Sequence, residues 1–336
     1  MLDGVLQGAL VACSALCLVW LVVLLRAGSA TAALRRLPHQ SAPGSSRPRV
    51  TAVLAARNEA DAIERAVRSL LAQEGGEIDV VAVDDGSDDG TLQILQRLAR
   101  EEPRLLVLEN KKVPPGWVAK AYALELGQGR ASGDWLLFTD ADVIHGRRAV
   151  MHAVSVMQAE SLDHLAVHPR LEAGSWLEAI VLPLYVLLWE FRFINPRAAK
   201  PDGGVGAGVG AFNLVRAEAY RLRGTHARIR GAILDDRALG KLMRDEGGRG
   251  SVMRAVSQVR MRPYRSPAQL YTGMRKGALA SAKNSALVVI GKGIIIAVGG
   301  TVPVLALLGS VPLWLAGHAI WFALPAFLAL LLPAIG

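Results

Sequence analysis

From about residue 50 to residue 169 short apolar runs alternate with longer stretches whose apolar positions recur every three or four residues. The run "RVTAVLAARNE" predicts a strand over 50–56. A helical pattern follows at 60–72, with Ile63, Val67, Leu70 and Leu71 on one face. Further strands are predicted at 78–83, at 104–108, in "DWLLFTDAD" and in "DHLAVHP". Helices are predicted at 91–100, 118–127 and 147–158. Strands alternating with helices imply an α/β fold with a mainly parallel, doubly wound sheet. Ligands of such sheets bind off the carboxyl ends of the strands. There is no internal repeat.

The two ends of the chain follow a different pattern. Val5 to Leu25 is a continuous apolar stretch of about one bilayer's length. Arg26, Arg35 and Arg36 lie behind it and only Asp3 lies before it, the reverse of a signal peptide. The positive-inside rule then puts the N-terminus outside and the following residues in the cytoplasm. From about 286 to 335 the strongly polar side chains are Lys292 and His318, and "SVPLW" suits a reversal between spans at 286–308 and 312–334. Two spans return the C-terminus to the cytoplasm. The expected order is a transmembrane helix (1–26), a linker (27–49), a cytoplasmic domain (50–275) and two further spans (286–336). The stretch "SWLEAIVLPLYVLLWEFRFINP" (175–196) has too short an apolar centre to span. It reads as an interfacial helix or as a core helix.

Composition supports this division. The chain is 52% hydrophobic but only 5% aromatic, with positive mean hydropathy, and its charges gather between roughly 47 and 265. The formal net charge is +9. The arginines are scattered without interleaved aromatics, so an anionic membrane surface fits them and nucleic acid does not. Cys13 and Cys17, the only cysteines, both fall in the first apolar stretch. The middle region therefore has no disulfide framework, zinc knuckle or cysteine nucleophile.

Candidate chemistry gathers where the predicted strands end. The first ends in Arg57-Asn58-Glu59, the second in Asp84-Asp85 and the fourth in Asp140-Ala141-Asp142. Asp84 closes its strand, so its carboxylate can accept hydrogen bonds from a base N–H or a ribose hydroxyl. Asp88 or Asp89 suits the N-cap of the helix beginning near Thr91. Asp140 and Asp142 share a side if the strand direction continues. Two carboxylates with open positions suit Mg²⁺ or Mn²⁺ holding a diphosphate; the plainer reading is an ordinary strand-end turn. His145 just beyond reads as an ordinary loop residue rather than a third ligand. Asp235 and Asp236 open a helical pattern containing Leu239 and Leu242. They either cap it, or one caps while the other serves as a general base. Pro115-Gly116 reads as a turn, and Lys120 at a helix start either faces a phosphate or points into solvent. "GGVGAGVGAFN" (203–213) reads as a mobile loop leading into a strand on the acceptor side.

In this order "ARNEA", "VDDGSDDGT", "FTDAD" and "LDD" with "RALGKLMR" resemble family 2 glycosyltransferases of the GT-A fold, over roughly 50–275. "PPGW" with Lys120, "GAFNLVRAEAY", "IRGAILDDRAL" and "VRMRPY" resemble the membrane-bound, hopene-associated and carotenoid-type branch. The resemblance implies that Asp84 and Asp85 contact the donor nucleoside, with Asn58 and Glu59 lining the same pocket. It implies that Asp140 and Asp142 hold the metal and the donor diphosphate, that Lys120 lies near the donor, and that Asp236 is the general base. The departures are Ala119 where the branch often has glycine, Asp235 where the family has glutamate, and the lack of a Q-x-x-R-W. "MRPYRS" stands near where that motif falls, which makes Tyr264 and Arg265, with Asp235, candidates for acceptor or phosphate contacts.

The expected protein is therefore an inverting, metal-dependent, single-transfer glycosyltransferase. Its expected partners are a nucleotide sugar, with UDP the expected carrier, and a membrane lipid acceptor such as a hopanoid, carotenoid or polyprenyl phosphate. The rivals are a membrane nucleotidyl- or phosphosugar transferase, and a catalytically silent scaffold of the same fold.

Overall fold

The structure is a computed structural model that describes residues 34–39, 47–176, 178–179, 182, 206–266, 268–273 and 275. The expected spans at 1–26 and 286–336, and most of 175–196, lie outside these residues. Among the described residues no helix is long and apolar enough to cross a membrane. The chain divides into two compact units. One comprises 33–182 and 193–267; the other comprises 1–32, 183–192 and 268–336.

Ten strands are described: β1 (Arg49–Ala56), β2 (Glu77–Asp84), β3 (Leu105–Glu109), β4 (Trp135–Asp140), β5 (Val143–His145), β6 (His164–His168), β7 (Arg170–Leu171), β8 (Asn213–Arg216), β9 (Gly250–Arg254) and β10 (Val259–Met261). The helices are α1 (Ile63–Leu71), α2 (Thr91–Glu101), α3 (Ala119–Gln128), α4 (Ala149–Ala159), α5 (Ala217–Leu222) and α6 (Asp235–Asp245), with a 3-10 turn at His226–Ile229. The predicted strands and helices up to residue 169 all form, with ends shifted by a few residues at most.

The main sheet has the order β3-β2-β1-β4-β8-β6-β9. β3, β2, β1 and β4 are parallel, and β8 runs antiparallel to both of its neighbours, β4 and β6. The fifth predicted strand, β6, therefore does not pair with the fourth. A strand from much later in the chain separates them. A second sheet, β5-β10-β7, joins segments that are far apart in sequence.

The central strands are covered on both faces, so they read as continuous apolar runs rather than as alternating ones. Along β1 the period of two still sorts side chains between layers. Ala52, Leu54 and Ala56 face Ile63, Val67 and Leu70 of α1, Leu95 and Leu98 of α2, and Val150 and Val154 of α4. Val53 and Ala55 face the opposite layer with Leu136, Phe138, Leu124, Tyr220 and Leu239. Each fully buried Leu or Val of this core contributes about 1.5–3 kcal/mol. That packing holds the strand ends in register, and the polar residues just past them inherit fixed positions.

Candidate active site

Pairing across the parallel strands aligns their carboxyl ends. Ala55 is paired with Asp140, Ala56 with Asp84, and Asp84 with Glu109. The polar ends of β1, β2 and β4 thus share one rim, as their sequence positions predict.

On the β4 side the rim carries a tight charge constellation. Lys120, in the first turn of α3, places Nζ 2.7 Å from Oδ1 of Asp140 and 3.5 Å from Oδ1 of Asp235. Asp235 is buried, while Lys120 and Asp140 are half-buried. Burial alone lowers the Lys120 pKa, but Asp140, Asp235 and Asp236 outweigh it and raise it well above the usual lysine value. Lys120 is therefore not a free, solvent-facing lysine. It links the acid at the end of β4 to the acid pair at the start of α6.

Asp236 is the second residue of α6, where the helix N-terminus favours a carboxylate. Its Oδ2 accepts a hydrogen bond of 3.0 Å from the Gly210 N–H. Burial first, and then the charge of Asp235, push its pKa up to about 6 against the pull of Lys120. The capping reading of this acid pair is only partly met: the N-cap is Leu234, which has no side-chain cap.

The glycine-rich segment explains itself here. A Cβ on Gly208 would overlap the carbonyl oxygen of Asp236, and one on Gly210 would lie 2.6 Å from Oδ2 of Asp140. Only glycine lets this backbone lie between the two acids. Thr139 Oγ1 donates 2.8 Å to the Ala211 carbonyl and ties the segment to β4. The segment leads into β8, as expected. Pro115-Gly116 is also a turn: the Trp117 N–H meets the Pro114 carbonyl at 3.2 Å, and Gly116 has φ +82°, a type II requirement.

Asp142 lies in the turn between β4 and β5 rather than continuing the strand, so strand alternation does not set its direction. Burial, then Asp140 and Glu59, push its pKa up to about 7. Burial also raises Glu59, with Arg265 opposing and Asp140 adding to the rise. Arg265 lies 3.2 Å from Asp61 and is therefore close to this group, whereas Tyr264 is half-buried nearby in the chain.

Across the rim, Asp84 Oδ2 accepts the N–H groups of Gly86 (3.2 Å) and Ser87 (3.1 Å). Its Oδ1 is buried without a partner. Asp85 accepts 2.5 Å from Asn110 Nδ2, and burial raises its pKa. Asn58 is occupied locally: φ is +58°, its N–H meets Ser87 Oγ at 3.0 Å, and its Oδ1 accepts the Asp88 N–H at 3.0 Å. It braces the β1 loop against the β2 loop, with its side-chain oxygen already used. The α2 N-cap is Gly90, not Asp88 or Asp89. Asp89 instead ties Ala60 N and Thr91 N together at 3.0 Å each.

His145 is a strand residue of β5 rather than a loop residue. It is buried, with its pKa lowered to about 3 by that burial, and packs against Phe212. Asn110 was not singled out from the sequence. Its signal was its position, one residue past β3 in a sheet whose other strand ends are polar.

Among the described residues no group of three or more His, Cys, Asp or Glu is arranged to hold a metal ion. Magnesium is ordinarily held by one or two carboxylates together with substrate phosphates. Asp140 and Asp142 meet that pattern. The rise of Asp142 to about 7 comes first from burial, with Asp140 and Glu59 adding to it.

A family model described as "Glycosyl transferase family 2" matches residues 51–223, a span that ends before Asp235 and Asp236. The beta-monoglucosyldiacylglycerol synthase of Trichormus variabilis is 28% identical over 186 residues, 54% of this chain and 38% of that protein. The 4,4'-diaponeurosporenoate glycosyltransferase of Staphylococcus haemolyticus is 26% identical over 111 residues, 33% of this chain and 28% of its own length. The chain thus spans well under half of either relative. Among solved structures, the mannosyltransferase PcManGT of Pyrobaculum calidifontis, in complex with GDP-Man and Mn²⁺, superposes with a TM-score of 0.56 at 19% identity. That likeness covers 96% of both chains and is one of fold.

Proposed function

Because the chain belongs to glycosyl transferase family 2, we propose that this glycosyltransferase moves one sugar from a nucleoside diphosphate sugar to a lipid-type acceptor, with inversion at the anomeric carbon. The observation that carries the reading is Lys120, which pairs with the donor-side acid Asp140 and with Asp235 and also feels the charge of Asp236. Donor-side and base-side groups therefore meet in one constellation, as a direct displacement requires.

Asp236 takes the proton of the acceptor hydroxyl. Its pKa of about 6 suits that role, because the group is mostly ionised at neutral pH and still basic enough to accept a proton. The acceptor oxygen forms its bond to the anomeric carbon as the bond to the diphosphate oxygen breaks on the opposite face. The Gly210 N–H holds the Asp236 carboxylate in place. Lys120 keeps Asp140 and Asp235 from repelling one another, and Asp84 and Asp85 bind the nucleoside. A divalent ion, Mg²⁺ or Mn²⁺, held by Asp140 and Asp142 would supply Lewis-acid neutralisation of the departing diphosphate. PcManGT, with Mn²⁺ and GDP-Man bound on a similar fold, supports that assignment.

The names of the two relatives, which point to glucosyldiacylglycerol and a diaponeurosporenoate, support a lipid acceptor. The apolar stretches at the chain ends support a membrane protein whose catalytic part faces the cytoplasm. The lack of a Q-x-x-R-W supports single transfer over processive synthesis.

The test is to supply the purified chain with a panel of sugar nucleotides, Mg²⁺ or Mn²⁺ and a membrane lipid extract. Nucleoside diphosphate release that is lost in Asp236→Asn and Asp142→Asn, both still folded, is the expected result. Release untouched by either change would overturn the roles assigned.

A further inference from the structure

Asp140 carries two assignments at once. It is a candidate holder of the divalent ion, and it is also the nearer partner of Lys120. The lysine Nζ lies 2.7 Å from its Oδ1, the length of a charge-assisted hydrogen bond. The second partner, Oδ1 of the buried Asp235, stands at 3.5 Å, an ion pair without a good hydrogen bond. Backbone crowds the Oδ2 side: a Cβ on Gly210 would lie 2.6 Å from Oδ2 of Asp140 and 3.4 Å from its Oδ1. The carboxylate is thus flanked by an ammonium and by main chain. An ammonium and a divalent ion on one carboxylate would stand a few ångströms apart, where like charges in a half-buried site repel strongly. An ammonium left there with no partner would be costly too.

We infer that Lys120 is a displaceable counter-ion: the ammonium and the divalent ion hold Asp140 alternately, and Asp235 receives the ammonium when the ion takes Asp140. This rests on the assignment of the ion to Asp140 and Asp142 proposed above and adds a device to it. Asp235 is placed for the exchange. It already lies within 3.5 Å of Nζ, and the flexible four-carbon lysine stem can turn between the two acids. Either arrangement leaves the ammonium paired, so the exchange strands no buried charge. Asp235 directly precedes the base Asp236 in α6, so arrival of the ion is registered beside the base. Lys120 is in this sense a positioning residue, acting through the two acids it serves in turn.

The experiment titrates the full chain with Mn²⁺ alone and follows free Mn²⁺ by its electron paramagnetic resonance signal. No nucleotide is added, so no phosphate offers the ammonium another partner. Lys120→Met is expected to bind Mn²⁺ about tenfold or more tightly than the unmodified chain, since a cation beside a carboxylate changes its proton affinity by a similar factor. Loss of any nearby cation helps the ion by charge alone, so the deciding measurement is a cycle with Asp235→Asn. That change removes the ammonium's second partner. It is expected to weaken Mn²⁺ binding about threefold or more with Lys120 present and to leave it nearly unchanged in Lys120→Met. Equal weakening in both backgrounds overturns the inference, as does a Mn²⁺ affinity that Lys120→Met leaves unchanged or lowers. Folding is checked by thermal melting. Should Lys120→Met not fold, Lys120→Gln takes its place, and Asp235→Asn alone overturns the inference if Mn²⁺ affinity does not fall. Asp140→Asn separates the exchange from the reading beneath it. Binding abolished there but indifferent to Lys120→Met sinks the exchange and leaves the metal assignment standing. Mn²⁺ binding by no form of the chain would sink both.

Discussion

The acid limb of the pH profile tests the constellation around Lys120 most directly. Asp236 has to be ionised to take a proton, so kcat/KM for the acceptor should fall as pH drops through about 6. Well below that pH each further unit costs about tenfold in rate, because the ionised fraction falls tenfold. The rise from the ordinary 3.8 to about 6 corresponds to about 3 kcal/mol against ionisation, set by burial and by Asp235 and opposed by Lys120. Two substitutions should therefore move the limb in opposite directions. Asp235→Asn removes a like charge, so Asp236 ionises more easily and the limb shifts down by roughly one pH unit. Lys120→Met removes the opposing cation, so the limb shifts up by a similar amount. The assay is nucleoside diphosphate release between pH 5 and 9 at saturating donor. Limbs that stay in place, or that move the same way in both variants, would refute the claim that these charges set the base. Asp236→Asn itself should cost about 10²–10⁴ in kcat, the usual worth of a positioned general base.

Other consequences concern stability and packing. Asp142 holds its proton more tightly in the folded chain than in the unfolded one. Stability is therefore expected to decline as pH climbs from 3.8 to about 7, with the full penalty present above that. Asp142→Asn should accordingly raise Tm at pH 8 by about 2–6 °C while abolishing activity; an unchanged or lowered Tm would contradict the crowding of charge there. Gly210→Ala should cost about 1–3 kcal/mol of stability. It should also lower activity at least tenfold, because the new methyl would lie 2.6 Å from Asp140 Oδ2. Full activity in this variant would show that the close approach is irrelevant. His145→Phe, in the buried β5 position beside Phe212, should leave the metal dependence of activity unchanged. A raised metal requirement would make His145 a ligand after all.

Local pattern was enough for the first half of the fold. Runs such as "VTAVLA" and "VVAV" are buried on both faces, and that alone predicts central strands. The amphipathic spacing of Ile63, Val67 and Leu70 likewise predicts which face of α1 meets them. Since ligand sites of parallel sheets lie at the strand ends, Asp84, Asp140 and Asp142 were legible as a group from the chain alone. Asp235 and Asp236 were legible as an acid pair at a helix start.

Other features depend on contacts between distant segments, which no local pattern encodes. The insertion of β8 between β4 and β6 is one, and the β5-β10-β7 sheet is another. Asn58, expected as a pocket residue, has its side-chain oxygen committed to the neighbouring loop, and His145 belongs to the core. Lys120 could equally have pointed into solvent by its sequence alone. Its position between Asp140 and Asp235 follows from the packing that brings the starts of α3 and α6 to the end of β4. Asn110 has the same origin: its residue type is common in loops, and only the register of β3 with β2 brings it against Asp85. The sequence by itself determined which residues bear charge at the strand ends. Tertiary structure decided which of those charges are already paired, because pairing depends on distances of a few ångströms between segments far apart in the chain.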